Sequence, residues 1–213
     1  MPRPRFEKLD AEKREHILEV AAREFVSHGY RGASLNHIIE SLGLSKGSFY
    51  YYFDDKADLF STVVQSAWEA LLQGWSLDVT GLDRDTFWRY LETLARDVRA
   101  RLRARPWLVS ATRLLGTPHA SVSRLLAEKL AEMRAFQESL VRHGQHLGVV
   151  RTDLPDGLLL GLLSAVDAAG DRWLLDNWDR MPPDEADEVA DRVFALMRQM
   201  LEPPNPASPK EQR

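Results

Sequence analysis

Apolar residues recur at spacings of three and four along almost the whole chain. Ile17, Leu18, Ala21, Ala22, Phe25 and Val26 make one such stripe, which predicts a helix from about Ala11, capped by Asp10 and stopped at Gly29. Ser34 is a good N-cap for a second helix, with Leu35, Ile38, Ile39 and Leu42 on its buried side and Gly43 at its end. Ser45 caps a short third helix containing Phe49 and Phe53. Asp55 caps a fourth, running to about Trp75, with Asp58 where a capping box usually places Glu. After a loop at 76–83, helices are expected from Arg84 to about Arg103, from Pro106 to Leu115 and from about His119 to His146. Two more are expected, from Pro155 to about Trp178 and from Asp184 to Leu201. Pro106, the Gly116-Thr117-Pro118 turn and Pro182-Pro183 separate them. No segment sustains the period-2 alternation of a strand, so the chain is expected to be all-α, with about nine helices. There are no internal repeats, and residues 203–213 read as a disordered, proline-rich tail.

Residues 34–53 carry the strongest functional signal. Two short helices joined by the tight turn Leu42-Gly43-Leu44 are what a helix-turn-helix requires. In that motif the first helix braces on phosphate and the second enters the major groove. The second helix opens Ser45-Lys46-Gly47-Ser48, small residues that let the backbone approach a duplex, with one cation suited to guanine or phosphate. Tyr50, Tyr51 and Tyr52 are consecutive. Successive helical residues point about 100° apart, so one apolar face cannot absorb all three. Phenols at a surface can donate to phosphate oxygens while their rings meet sugar or thymine methyls. Lys56, one helix later, is placed to reach another phosphate.

Charge narrows this picture. The net formal charge is −4, and residues 1–60 hold nine Lys or Arg against ten Asp or Glu. Any DNA contact must therefore come from locally arranged cations. Arg3, Arg5 and Lys8 make the first eight residues locally positive; they read equally well as a groove-seeking arm or as a solvated tail.

The run Ser34-Leu35, Ile38-Ile39, Leu42 to Phe53, Lys56 and Leu59-Phe60, preceded by Ile17-Leu18, Ala21, Phe25 and Gly29-Tyr30, resembles the N-terminal signature of the TetR family. The resemblance is specific over residues 11–64 and architectural beyond. It implies a DNA-binding set of Ser34, Ser45, Lys46, Gly47, Ser48, Tyr50, Tyr51, Tyr52 and Lys56. Ser34, Tyr51, Tyr52 and Lys56 would mainly hold phosphates, and Lys46, Gly47, Ser48 and Tyr50 would face bases or nearby phosphates. Two positions depart from the family pattern. Tyr52 stands where histidine is common, and Ile39 stands where a small residue usually packs under the recognition helix.

The resemblance also implies a homodimer on a palindromic operator of double-stranded DNA, released by a small molecule. Residues 1–55 would form the DNA-binding domain with its arm, and 56–202 the ligand-binding and dimerisation domain. Small residues Gly161, Ala165 and Ala169, interleaved with Leu158 and Leu162, and the stripe Val189, Val193, Met197 and Met200, mark the last two helices as the dimer candidates. A largely apolar or aromatic effector is expected, because the six tryptophans all lie beyond the DNA-binding part. Candidate pocket residues are Trp68, Leu72, Trp88, Leu91, Trp107, Arg113, Phe136, Asp167, Asp171 and Trp173. The two aspartates, spaced i,i+4, can orient a cationic or hydroxylated ligand, pair with Arg113 or Arg172, or face solvent.

Composition excludes other classes. With no cysteine there are no disulfides or thiolate metal sites. His143 and His146 share a helix face but have no evident third ligand, so no metal and no cofactor are expected. No nucleophile elbow, phosphate loop or H-E-x-x-H is present, so an enzyme is not expected. The N-terminus lacks a signal-peptide core, and the longest apolar run, Leu158 to Val166, is far short of the roughly 20 residues of a membrane span. A cytoplasmic protein without membrane contact is the expectation.

Overall fold

A computed structural model describes residues 4–115 and 124–204, and all its regular structure is helical. The ten described helices are α1 (Pro4–Glu7), α2 (Ala11–Gly32), α3 (Leu35–Ser41), α4 (Lys46–Tyr52), α5 (Lys56–Leu72), α6 (Phe87–Ala104), α7 (Pro106–Leu115), α8 (Arg124–His146), α9 (Asp156–Asn177) and α10 (Pro183–Leu201). The 116–118 turn, the start of the helix expected from His119, and the tail from residue 205 fall outside the described residues.

The four expected N-caps are in place. Asp10, Ser34, Ser45 and Asp55 each accept the backbone N–H three residues on, which satisfies one of the donors a helix start leaves open. Gly29 and Gly43 have φ of 66° and 63°, a left-handed conformation that carries no Cβ penalty in glycine. Gly29 interrupts α2 rather than ending it, and the helix resumes to Gly32. The fourth expected helix stops at Leu72, three residues early. At the start of α6, Asp83 Oδ1 accepts the Thr86 N–H (2.9 Å) and hydroxyl (2.6 Å).

The chain forms two compact units, residues 1–75 with 97–132, and residues 76–96 with 133–213. In the first, α2 packs on α3, α5 and α7, and α5 packs on α7. Phe25, Ile38, Phe49, Phe53, Leu59 and Phe60 are fully enclosed in its core. Phe25 and Phe60 meet edge-on at 5.0 Å, a favoured aromatic geometry. In the second unit Val79, Phe87, Leu91, Phe136, Leu140, Val141, Val150, Leu159 and Leu201 form the core. There α9 and α10 are packing partners. Gly170 is where they close: a Cβ on it would lie 2.8 Å from Val193 Cγ1.

The sequence reading missed α1. Phe6 is fully buried and its ring lies 5.0 Å from Phe53, so the N-terminal segment docks on α4. The Arg5 guanidinium lies 4.0 Å from the Tyr51 ring centre, within cation–π range. At Arg5 the segment is therefore neither a free arm nor a solvated tail.

Candidate DNA interface and regulatory residues

The turn between α3 and α4 is closed by backbone bonds, Gly43 N–H to Glu40 O (3.0 Å) and Leu44 N–H to Ile39 O (3.1 Å). It aims α4 outward. Phe49 is enclosed on the inner side of α4, whereas Tyr50 and Tyr51 are 47% and 45% exposed and Tyr52 is half-buried. Lys46 and Gly47 at its start are exposed. The Ser45 hydroxyl is occupied as the cap, 3.0 Å from Ser48 N–H and 2.8 Å from Ser48 Oγ. Gly47 leaves open space, with nothing nearer a built Cβ than Ser45 Oγ at 3.8 Å. Ser34 caps α3 and is exposed, and Ile39 packs into the core. These residues thus share one surface-facing motif. Lys56 differs: its ammonium donates to the carbonyls of Ala33 (3.0 Å) and Arg31 (3.3 Å).

One site residue carried no local signal. Glu24 is a charged group in the core, 7% exposed. Its carboxylate accepts the Ser34 N–H at 2.8 Å and lies 2.8 Å from His37 Nδ1 and 3.3 Å from His28 Nδ1. Only its position beside Ala21, Ala22 and Phe25 on the buried stripe hinted at enclosure.

The candidate pocket residues divide between the units. In the first, Trp107 is buried and its indole N–H has no acceptor among the described residues. Trp68 is half-buried, with the Lys129 ammonium 5.5 Å from its ring centre, and Leu72 and Arg113 are half-buried. In the second, Leu91 and Phe136 belong to the core. Trp88 stacks edge-on against Phe87 and lines an open cleft of about 640 Å³ with Arg84, Arg151 and Arg198. Asp167 accepts a long bond from Gln137 Nε2 at 3.5 Å, and Ser164 donates to Gln137 Oε1 at 2.9 Å. Burial raises the Asp167 carboxyl, and crowding together with the Asp167 charge pushes Asp171 up to about 7. Asp171 itself is exposed to solvent, which mutes the effect.

Trp173 is 48% exposed. It shares the outer face of α9 with Leu158 (49%), Leu162 (37%) and the exposed Gly161, Ala165 and Ala169, and so belongs with the dimer candidates rather than a cavity wall. On α10, Val189, Val193, Met197 and Met200 are half-buried. Met197 and Met200 also pack on the core of the second unit, and the sequence reading missed Leu196, 61% exposed. His143 is half-buried, and its Nε2 donates to the Leu82 carbonyl at 2.8 Å. No cluster of three metal-ligating side chains occurs among the described residues, and no described helix is long and apolar enough to cross a membrane.

Comparison with known proteins places this geometry. Residues 17–63 match the family model for bacterial regulatory proteins of the tetR family. The chain is 28% identical over 180 residues to the HTH-type transcriptional repressor AcnR of Corynebacterium diphtheriae, covering 79% of this chain and 87% of that protein. It is 44% identical over 52 residues to the HTH-type transcriptional regulator AcrR of Shigella flexneri, covering 24% of each. Among solved structures, a TetR family regulator from Chloroflexus aurantiacus superposes with TM-score 0.65 at 22% identity, over 95% of this chain and 99% of that one. The SmeT–triclosan complex does so with TM-score 0.62 at 20% identity, over 94% and 100%. Over residues 17–63 the chain is thus similar to the tetR family of bacterial regulatory proteins, and its fold over nearly its whole length is like that of solved regulators of that family.

Proposed function

We propose that this chain is a ligand-responsive transcriptional repressor that binds a palindromic duplex operator as a homodimer. The observation that carries the reading is α4, a capped helix that buries Phe49 and holds Tyr50 and Tyr51 out in solvent. Two large phenols exposed side by side near Lys46 present ring faces and hydroxyl donors together on one surface. They suit phosphate and base edges. Tyr50, Lys46 and Ser48 are assigned to bases or nearby phosphates, and Ser34, Tyr51 and Tyr52 to phosphates. The exposed α9 face, Leu158, Leu162 and Trp173, with α10 beside it, is assigned to the dimer.

DNA reading falls to residues 1–55, and sensing and dimerisation to 56–202. AcnR of C. diphtheriae is a repressor by name, which favours repression, and SmeT was solved with triclosan, which favours a small-molecule effector. The mechanism is a population shift. The unliganded dimer holds its two α4 helices about one DNA turn apart, roughly 34–36 Å. Effector favours a state in which α5 has swung and the spacing no longer fits, so effector and operator weaken each other's binding equally. Selection of bound duplexes from a random pool, repeated with candidate apolar effectors, tests DNA binding, palindromy and release together. Recovery of no preferred duplex counts against the reading.

A further inference from the structure

We propose that Glu24 and Lys56 are positioning residues for DNA binding, which grip the peptide segment 31–34 from two sides and thereby fix where α3 begins. The inference rests on the DNA-binding reading and changes the role of Lys56 within it.

Gly29, at φ 66°, breaks the regular geometry of α2, and the Ala33 N–H reaches back to Gly29 O at 2.9 Å. Ser34 must then turn into extended backbone (φ −96°, ψ 114°) to cap α3. Its own N–H, which no helical carbonyl can take, goes to Glu24 Oε1 at 2.8 Å. The other oxygen of that carboxylate holds His37 Nδ1 at 2.8 Å, inside the first turn of α3. Burial alone would raise the Glu24 carboxyl. The Ser34 and His37 hydrogen bonds and the His28 and His37 charges outweigh it and hold the group below its ordinary range. The carboxylate is thus ionised at neutral pH, when its three donors bind it best.

From α5, Lys56 grips the same segment by its carbonyls, at Ala33 O and Arg31 O. Its ammonium also stands 5.0 Å from the Tyr30 ring centre. An ammonium has three N–H donors; two are used inside the protein, which leaves one for anything outside. Glu24 on α2 and Lys56 on α5 therefore tie the start of α3 to two other helices.

A positioning role and a phosphate contact separate cleanly by salt dependence. Removing a phosphate contact lowers the slope of log K against log salt by about 0.9. Removing a positioning residue lowers affinity and leaves the slope alone. The experiment measures anisotropy of a labelled selected duplex with full-length wild type, Lys56→Gln, Glu24→Gln and Glu24→Ala between about 50 and 200 mM salt, alongside thermal midpoint and dimer mass. Lys56→Gln and Glu24→Ala should each lose about tenfold in affinity at unchanged slope, the equivalent of one hydrogen-bonded charge. Glu24→Gln keeps an oxygen for the Ser34 N–H and should lose less than Glu24→Ala. A slope reduced by about one contact in Lys56→Gln overturns the inference and returns Lys56 to phosphate. So does wild-type affinity in Glu24→Ala, or lost thermal stability with unchanged affinity per folded dimer. If Glu24→Ala does not fold, amide exchange at Ser34 in Lys56→Gln decides, with faster exchange supporting the grip and unchanged exchange refuting it. A wild type that binds no duplex removes the DNA reading itself, whereas normal binding by every variant removes only this inference.

Discussion

Tyr50 and Tyr51 differ little in exposure, yet their surroundings differ. Tyr51 is covered on one face by Arg5, whereas Tyr50 meets only its helix neighbour Phe49, edge-on at 5.4 Å, among the ring contacts described. Tyr50→Ala should therefore weaken operator binding about tenfold, a lost hydrogen bond with its packing, with dimer mass and thermal midpoint unchanged; titration against the selected duplex checks this. Asp171 offers a pH test. Desolvation and the Asp167 charge push its folded-state carboxyl up to about 7, an effect its exposure reduces, so it favours folding in acid and weakly opposes it as pH climbs from the unfolded value near 4 through 7. Asp171→Asn should raise the thermal midpoint at pH 8 and leave it unchanged below pH 4, as melting curves at both values would show. At this scale the sequence was legible where chemistry is local. Asp10, Ser34, Ser45 and Asp55 were readable as caps because a cap bonds three residues away. Glu24 and Lys56 were not, because the partners that define their role, Ser34 and His37 for Glu24 and Arg31 and Ala33 for Lys56, lie 10 to 25 residues distant.

Helices were legible wherever an apolar stripe recurs over several turns, as in α2, α5 and α10. Helix ends were less so. Gly29 reads as a stop, but the backbone bends there and resumes, since glycine permits a turn without enforcing one. The four-residue α1 was invisible because one residue, Phe6, supplies its burial. Packing between elements makes a sharper prediction at glycine. A Cβ on Gly144 would come within 2.3 Å of Val150 Cγ2 and 2.9 Å of Phe87 Cζ, and neither side chain has space in a filled core. Gly144→Ala should lower stability by about 1–3 kcal/mol through overpacking, read as a reduced urea midpoint. Gly161→Ala is its control, because nothing lies within 4 Å of the added carbon, and the folding of the isolated chain should be unaffected.

At the scale of the whole molecule, the nearly even charge balance of residues 1–60 means that affinity has to come from placing a few groups twice. The exposed apolar face of α9 supplies the second copy in this account. Leu162→Glu should shift dimer to monomer in sedimentation experiments and cost most operator binding, because one helix-turn-helix reads too few bases to be selective. Retained dimer mass would move the interface elsewhere. The exposed apolar face of α9 was legible from the mix of small and large apolar residues at helical spacing. The pocket candidates were not resolved the same way. Core, surface and cavity tryptophans share one sequence pattern, and Trp107, Trp88 and Trp173 prove to be buried, cleft-lining and exposed respectively.

Two recognition helices presented together to successive major grooves are the centre of this account, and duplex selection followed by footprinting tests that most directly. The account predicts an inverted repeat whose half-site centres lie about 10 base pairs, or a multiple of one helical turn, apart, with about ten times more Tyr50→Ala than wild type needed for the same protection. A preferred site without two-fold symmetry, or protection by Tyr50→Ala at the same concentration as wild type, would contradict it.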